Sequence, residues 1–230
     1  MPPQEMTTDP LHLLEGAARA WGEPLDAAKL TLIRSYLEFV QEKNKDVNLT
    51  ADDRWDDLVL KHASDGIFAA SVLRPLLSRA PRILDLGSGA GFIGLVLKIA
   101  WPEAEVTLME SVERKYRFLN TAATRTGLKG LRVLNRRAGS GAALTAYELN
   151  FDVVVERALA ELPEAIRLAW PMLGPRGLVA AFQSEEPDCA EPVLAKSLVA
   201  AGATVLKSCP YRRPLETRDR RLVLFMRRED

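Results

Sequence analysis

The segment RILDLGSGAG, residues 82–91, runs from an apolar stretch into glycines at 87, 89 and 91. A residue without Cβ allows a tight turn and lets a ligand touch backbone. Apolar residues at helical spacing follow from Phe92, so helix-start amides would face the same point. Two ligands suit this loop. Gly89, Gly91 and Gly94 match the dinucleotide pattern G-x-G-x-x-G. Asp85, Gly87, Gly89 and Gly91 match D-x-G-x-G-x-G, with Ser88 inside it, the pattern of an S-adenosylmethionine (SAM) loop. Asp85 weighs towards SAM, because a carboxylate favours its ammonium and sulfonium and repels a pyrophosphate. Glu110 ends the next apolar run, followed by Ser111, and can hold ribose hydroxyls under either reading.

Further candidates are polar groups around that loop. Arg157 directly follows the apolar run 151–155 and Glu156. Neighbours on a strand point to opposite faces, so the expected partner of Arg157 is a bound ligand rather than Glu156. Arg137 lies in a basic stretch with Arg132 and Arg136, and a second stretch holds Arg212, Arg213, Arg218, Arg220 and Arg221. Both are candidate phosphate contacts, since the planar guanidinium fork suits such acceptors. Asn48 fits a helix cap or turn as well as a substrate contact. His62 lies on a helical face, where a histidine is commonly packed or hydrogen-bonded, with Asp65 its expected partner.

Elements must hold these groups in place. Residues 10–78 read as helices: Leu13, Leu14, Ala17, Ala18 and Trp21 form one stripe, and Leu30, Ile33, Leu37 and Val40 another. A third helical region runs from Trp55 towards Leu77, with Gly66 as an expected break. From Arg82 short apolar runs alternate with helical stretches. Strands are expected at 82–86, 106–110, 131–134, 151–155, 177–182, 204–207 and 222–226, and helices at 92–100, 114–127, 163–170 and 192–201. This alternation implies a parallel sheet covered on both faces. The last two strands have no helix between them and should form an antiparallel hairpin at the sheet edge. The expectation is an α/β chain: a helical N-terminal subdomain, 1–80, and a Rossmann-like domain, 81–230.

The chain has 230 residues, 47% hydrophobic and 27% charged, with 31 basic and 31 acidic residues. These values exclude a disordered or fibrous chain. The longest charge-free run, 86–97, is too short to span a bilayer. The start, MPPQEMTTDP, lacks the basic and apolar pattern of a secretory signal, which leads to an expected cytoplasmic location. Cys189 and Cys209 show no metal spacing, so no metal is expected.

At several places the chain resembles the small-subunit (16S) rRNA guanine-N7 methyltransferases, the RsmG or GidB family. Asn44-Lys45 with Asn48-Leu49-Thr50 resembles its N-K…N-L-T block. Lys61-His62 with Asp65 resembles R-H-x-x-D-S, and LDLGSGAGFIG resembles the family's glycine loop. Glu110-Ser111 with Lys115 to Leu119 resembles D-S…K-R-x-x-F-L, and Arg157-Ala158 resembles S-R-A. The resemblance implies a class I SAM-dependent methyltransferase fold, SAM as methyl donor, and small-subunit rRNA or the ribosomal subunit as partner, with no membrane. It implies SAM contacts at Gly87 and Phe92, a ribose carboxylate at Glu110, and adenine-side contacts at Ala138 and Gly139. Arg157 and Arg137 would face the substrate. The chain departs from the family at Ile93 for Pro, Gly66 for Ser, Gly139 for Glu, Glu156 for Ser and Gln183 for Lys. The residues alone leave other readings open: another substrate on the same scaffold, a SAM- or RNA-binding protein without catalysis, or an NAD-dependent oxidoreductase.

Overall fold

Short runs rich in Val, Ile and Leu pair into one seven-stranded sheet in the computed structural model, which describes residues 9–140, 145 and 148–228. The N-terminal residues read for a signal lie mostly outside that set. The strands are β1 (Arg82–Leu86), β2 (Glu105–Glu110), β3 (Leu131–Asn135), β4 (Phe151–Arg157), β5 (Leu173–Gln183), β6 (Ala203–Tyr211) and β7 (Arg220–Arg227). Their spatial order is β3-β2-β1-β4-β5-β7-β6, with the first five parallel and β7 antiparallel to both neighbours. The order reverses between β1 and β4, which opens a crevice at their carboxyl ends.

Among the described residues the α-helical segments are α1 (Pro10–Ala20), α2 (Ala27–Val47), α3 (Trp55–Asp57), α4 (Ser64–Leu73), α5 (Gly94–Ala100), α6 (Glu113–Thr126), α7 (Leu162–Ala169) and α8 (Pro192–Ala201). Alternation along the strands decides which helices cover which face. Ile83, Val153 and Val155 join Ile33, Leu37, Ile67 and Val96 in one buried cluster. Leu84, Leu86 and Val154 turn the other way and bury Leu162, Ile166, Leu194 and Leu198. The N-terminal helices therefore share a core with the sheet.

Four expectations are corrected. Gly66 is not a break: α4 runs through it, and a Cβ there would lie 2.8 Å from Val96 Cβ and 2.9 Å from the Phe92 carbonyl. The glycine is needed for close packing. The turn before it, Leu58–Ala63, is π-helical, a feature that often marks functional sites. Strand β5 begins at Leu173, ahead of the expected 177, because the glycines and Pro175 hide a strand whose pairing shifts register at Phe151/Val153. Strand β6 extends to Tyr211 through Pro210, which an edge strand tolerates. The glycine loop also stays non-helical as far as Ile93, so α5 starts at Gly94 rather than 92.

Candidate functional site

The loop after β1 takes its shape from glycine. Gly87, Gly89 and Gly91 have φ of 73°, 59° and 90°, the left-handed region that L side chains avoid. Neighbouring carbonyls and carboxylates satisfy its amides. Gly87 and Ser88 donate to the Met109 carbonyl at 2.9 and 3.0 Å, and Gly89 donates to Glu110 Oε2 at 2.9 Å. Glu110 Oε1 accepts from the Val112 amide at 2.7 Å, so one buried carboxylate ties the loop to the end of β2. Asp85 Oδ2 accepts from the Gly94 amide at 2.9 Å. Burial pushes the Asp85 carboxyl up to about 6, against the pull of that amide. Beneath the loop, Tyr36 of α2 donates to the Ala90 carbonyl at 2.9 Å.

Arg157 shares the sheet face of Val153 and Val155, whose buried cluster takes in side chains of α1, α2, α4, α5 and α6, and its guanidinium meets the N-terminal helical region. Its Nη1 donates to Asp65 Oδ2 at 2.7 Å and its Nη2 to His62 Nδ1 at 2.9 Å. The pairing with Glu156 is absent, as strand geometry requires, but the expected ligand-only partner is corrected: Asp65 and His62 take that role. Asp65 is fully buried and also accepts from Tyr211 Oη at 2.6 Å and Arg213 Nε at 2.7 Å. Burial alone would raise its carboxyl; the bonds and charges of Arg213 and Arg157 hold it below the usual carboxylate range. The expected His62–Asp65 pair is thus replaced. His62 Nε2 lies 3.1 Å from Asp52 Oδ2, and Asp52 also accepts from Lys61. Burial, reinforced by Arg157, lowers the imidazole to about 4, so the ring is neutral near pH 7.

These groups converge on a cavity of about 150 Å3. His62, Asp85, Gly87, Ser88, Gly89, Phe92 and Arg157 line it, together with Leu49 and Thr50. Its lining is acidic through Asp85 and cationic through the Arg157 guanidinium, which lies beside a neutral imidazole. An arrangement of this kind holds a cationic ligand at the loop and a polar acceptor near the arginine. Leu49 and Thr50 reach it because Asn44 Oδ1 accepts both their amides, at 2.7 and 3.0 Å.

The remaining sequence candidates lie elsewhere. Asn48 is the exposed left-handed cap of α2, with φ of 54°, and does not line the cavity. Ser111 follows β2 and is exposed, and Gly91 turns towards Tyr36 and Leu119. Ala138 and Gly139 follow β3, and Gly139 has φ of 68° and faces Leu168 of α7. Arg137 is exposed. Acids engage several arginines of the two basic stretches. Arg136 pairs with Glu148, Arg212 with Asp219, Arg220 with Glu216 and Arg221 with Glu186, while Arg213 is buried. Sequence reasoning missed Tyr36, Asp52 and Tyr211. A hydroxyl on the apolar stripe of α2 is a signal for Tyr36. Tyr211 carries none, being 146 positions from Asp65.

Among the described residues no group of three His, Cys, Asp or Glu could hold a metal ion, and no helix is long and apolar enough to cross a membrane. A family model described as rRNA small subunit methyltransferase G matches residues 29–208. A protein named ribosomal RNA small subunit methyltransferase G from Geobacter sp. (strain M21) is 34% identical over 221 residues, 94% of this chain and 97% of that one. A protein of the same name from Streptococcus pyogenes serotype M5 is 32% identical, covering 78% of this chain and 76% of its own. Among solved structures, magnesium protoporphyrin IX methyltransferase from Synechocystis PCC 6803, with bound SAH, superposes with a TM-score of 0.60. It has 11% identity and covers 85% of this chain and 99% of that one. A methyltransferase from Pyrococcus furiosus gives 0.56 at 18% identity, covering 85% and 98%. At these identities the two structures speak for the fold.

Proposed function

The chain belongs to the rRNA small subunit methyltransferase G family, and from that premise we propose that it methylates N7 of a guanine in small-subunit rRNA. The observation that carries this reading is one cavity lined by the glycine loop, by Asp85 and by Arg157. SAM fits the loop end. The buried Asp85 carboxylate suits a cationic methionine end, and Glu110 stands where ribose hydroxyls could replace the Gly89 and Val112 amides as its partners. When bound, SAM supplies an electrophilic methyl group on a sulfonium.

Guanine N7 carries a lone pair at neutral pH, so no residue has to remove a proton first. The neutral, doubly engaged His62 agrees with that requirement. The work left to the chain is positioning, which is worth roughly 7–11 kcal/mol in well-oriented reactions. Arg157, held by Asp65 and His62, keeps guanidinium N–H groups for the O6 of a guanine, which leaves the N7 lone pair free to attack, or for a phosphate. The natural partner in this reading is rRNA, naked or within the small subunit, and the location is the cytoplasm.

Two measurements test the reading. Calorimetry with SAM, S-adenosylhomocysteine and NAD should show binding of the first two alone. Mapping of N7-methylguanine in small-subunit rRNA, from cells with and without the gene, should reveal one site that disappears with it. An unchanged map would remove this substrate, and NAD binding would return the oxidoreductase reading.

A further inference from the structure

His62 lies flat on Phe92, with ring centroids 4.0 Å apart and planes 7° from parallel. Both imidazole nitrogens are engaged in the ring plane. A guanidinium only donates, so His62 Nδ1 accepts from Arg157; a carboxylate only accepts, so Nε2–H donates to Asp52. This leaves no lone pair for a general base and none for a metal. His62 lines the cavity; with one face on Phe92 and both nitrogens bonded, what remains of the ring for a ligand is its other face and the carbon edge. Thr50, Leu49 and Arg157 line the same cavity.

A flat, neutral, immobilised ring with an aromatic behind it is suited to one kind of ligand. Nucleobases drawn out of an RNA strand are held by stacking on histidine, phenylalanine, tyrosine or tryptophan, typically with an arginine or amide reading the base edge. A protonated imidazole would stand beside Arg157 as a second cation; the neutral tautomer removes that conflict. The Phe92 ring also belongs to the segment that leaves the glycine loop, so the platform is fixed to the loop that would carry the methyl donor.

We infer that the His62 ring, backed by Phe92, is the platform on which the target purine stacks, its outer edge facing Arg157. The inference rests on the rRNA methyl-transfer reading above and names how that site grips its base. His62 then acts through its face, and the bonds to Asp52 and Arg157 serve to hold the ring still.

Substitutions at position 62 separate a stacking role from a hydrogen-bonding one. His62→Phe keeps a ring and loses both polar atoms. His62→Asn and His62→Gln keep an amide near Nδ1 and Nε2 respectively, without a ring. His62→Ala loses both. Initial rates of methyl transfer from SAM to small-subunit rRNA from cells lacking the gene give kcat and KM for RNA. Calorimetry gives SAM affinity, and thermal melting checks folding. Stacking predicts that Ala, Asn and Gln each raise KM for RNA tenfold or more, that Phe recovers most of this loss, and that all bind SAM alike. Amide variants that outperform Phe, or four variants with the unmutated KM, would overturn the platform. If the unmutated protein transfers no methyl group to rRNA or to assembled subunits, the functional reading itself fails and the platform falls with it. That result is distinct from a flat ranking by an active enzyme.

Discussion

Gly89 has left-handed backbone and open space where a Cβ would stand, its nearest neighbour being the Gly87 carbonyl at 4.0 Å. A valine there would meet no steric wall, yet a β-branched residue at that φ is strained. Gly89→Val should leave the fold intact and distort the amide that Glu110 holds. SAM affinity should fall at least tenfold, about 1.4 kcal/mol, by calorimetry. Arg157 makes a different demand. Its fork bonds Asp65 and His62 together. Lysine would preserve the charge near Asp65 and lose the geometry that serves both partners. Arg157→Lys should lower methyl transfer on the order of a hundredfold, about 2.7 kcal/mol. Single-turnover rates at saturating SAM read this directly, and an unchanged rate would release Arg157 from the site.

Helix α4 and the β6–β7 connection carry the site from opposite ends of the chain. At Gly66, α4 presses on the backbone of residues 92 and 93 and on Val96. Alanine is the better helix former by roughly 1 kcal/mol. A Cβ against two carbonyls that cannot yield costs more, typically 1–3 kcal/mol for an overpacked site. Gly66→Ala should therefore lower the melting temperature, and a stabilised variant would show that α4 can slide. The connection contributes adjacent arginines with different fates. Arg212 pairs with Asp219 in solvent, whereas Arg213 is buried against Asp65, 148 positions away. An exposed pair is worth about 0–1 kcal/mol. Breaking a buried one costs about 3–5 kcal/mol, because an uncompensated charge is left behind. Denaturant melts should show Arg213→Ala strongly destabilised and Arg212→Ala close to the unmutated protein.

Across the whole molecule the charges balance, and the buried ones set its response to pH. Glu156 faces α7 and α8 on the side of the sheet opposite Arg157; burial, with some repulsion from Asp85, raises its carboxyl to about 7. The ordinary value is 4.5, so between 4.5 and 7 the folded chain holds a proton that the unfolded chain has lost. This stabilising contribution is complete below 4.5 and is lost as pH rises through 7. Glu156→Gln cannot ionise. It should melt above the unmutated protein at pH 8, by on the order of 2 kcal/mol, with the gap closing towards pH 4.5. A gap that widens on acidification would mean the carboxylate is favoured in the fold. His62 works the other way, because a neutral buried imidazole costs stability as pH falls from 6.5 towards 4. The sequence by itself determined whatever depends on local spacing. Glycines at 87, 89 and 91 require a turn with positive φ, and alternating apolar runs require a covered parallel sheet. Arg157, one residue beyond Glu156, must take the other face. Only the tertiary structure decided what that face meets. Asp65, Arg157, Tyr211 and Arg213 lie on a helix, a strand end and an edge-strand connection, and no period or spacing links them. Burial of Asp65 calls for donors from any direction, and the crossover of β4 and the return of β6 happen to supply them. For the same reason the C-terminal arginine stretch, which reads as a set of candidate phosphate contacts, includes one residue enclosed in the core.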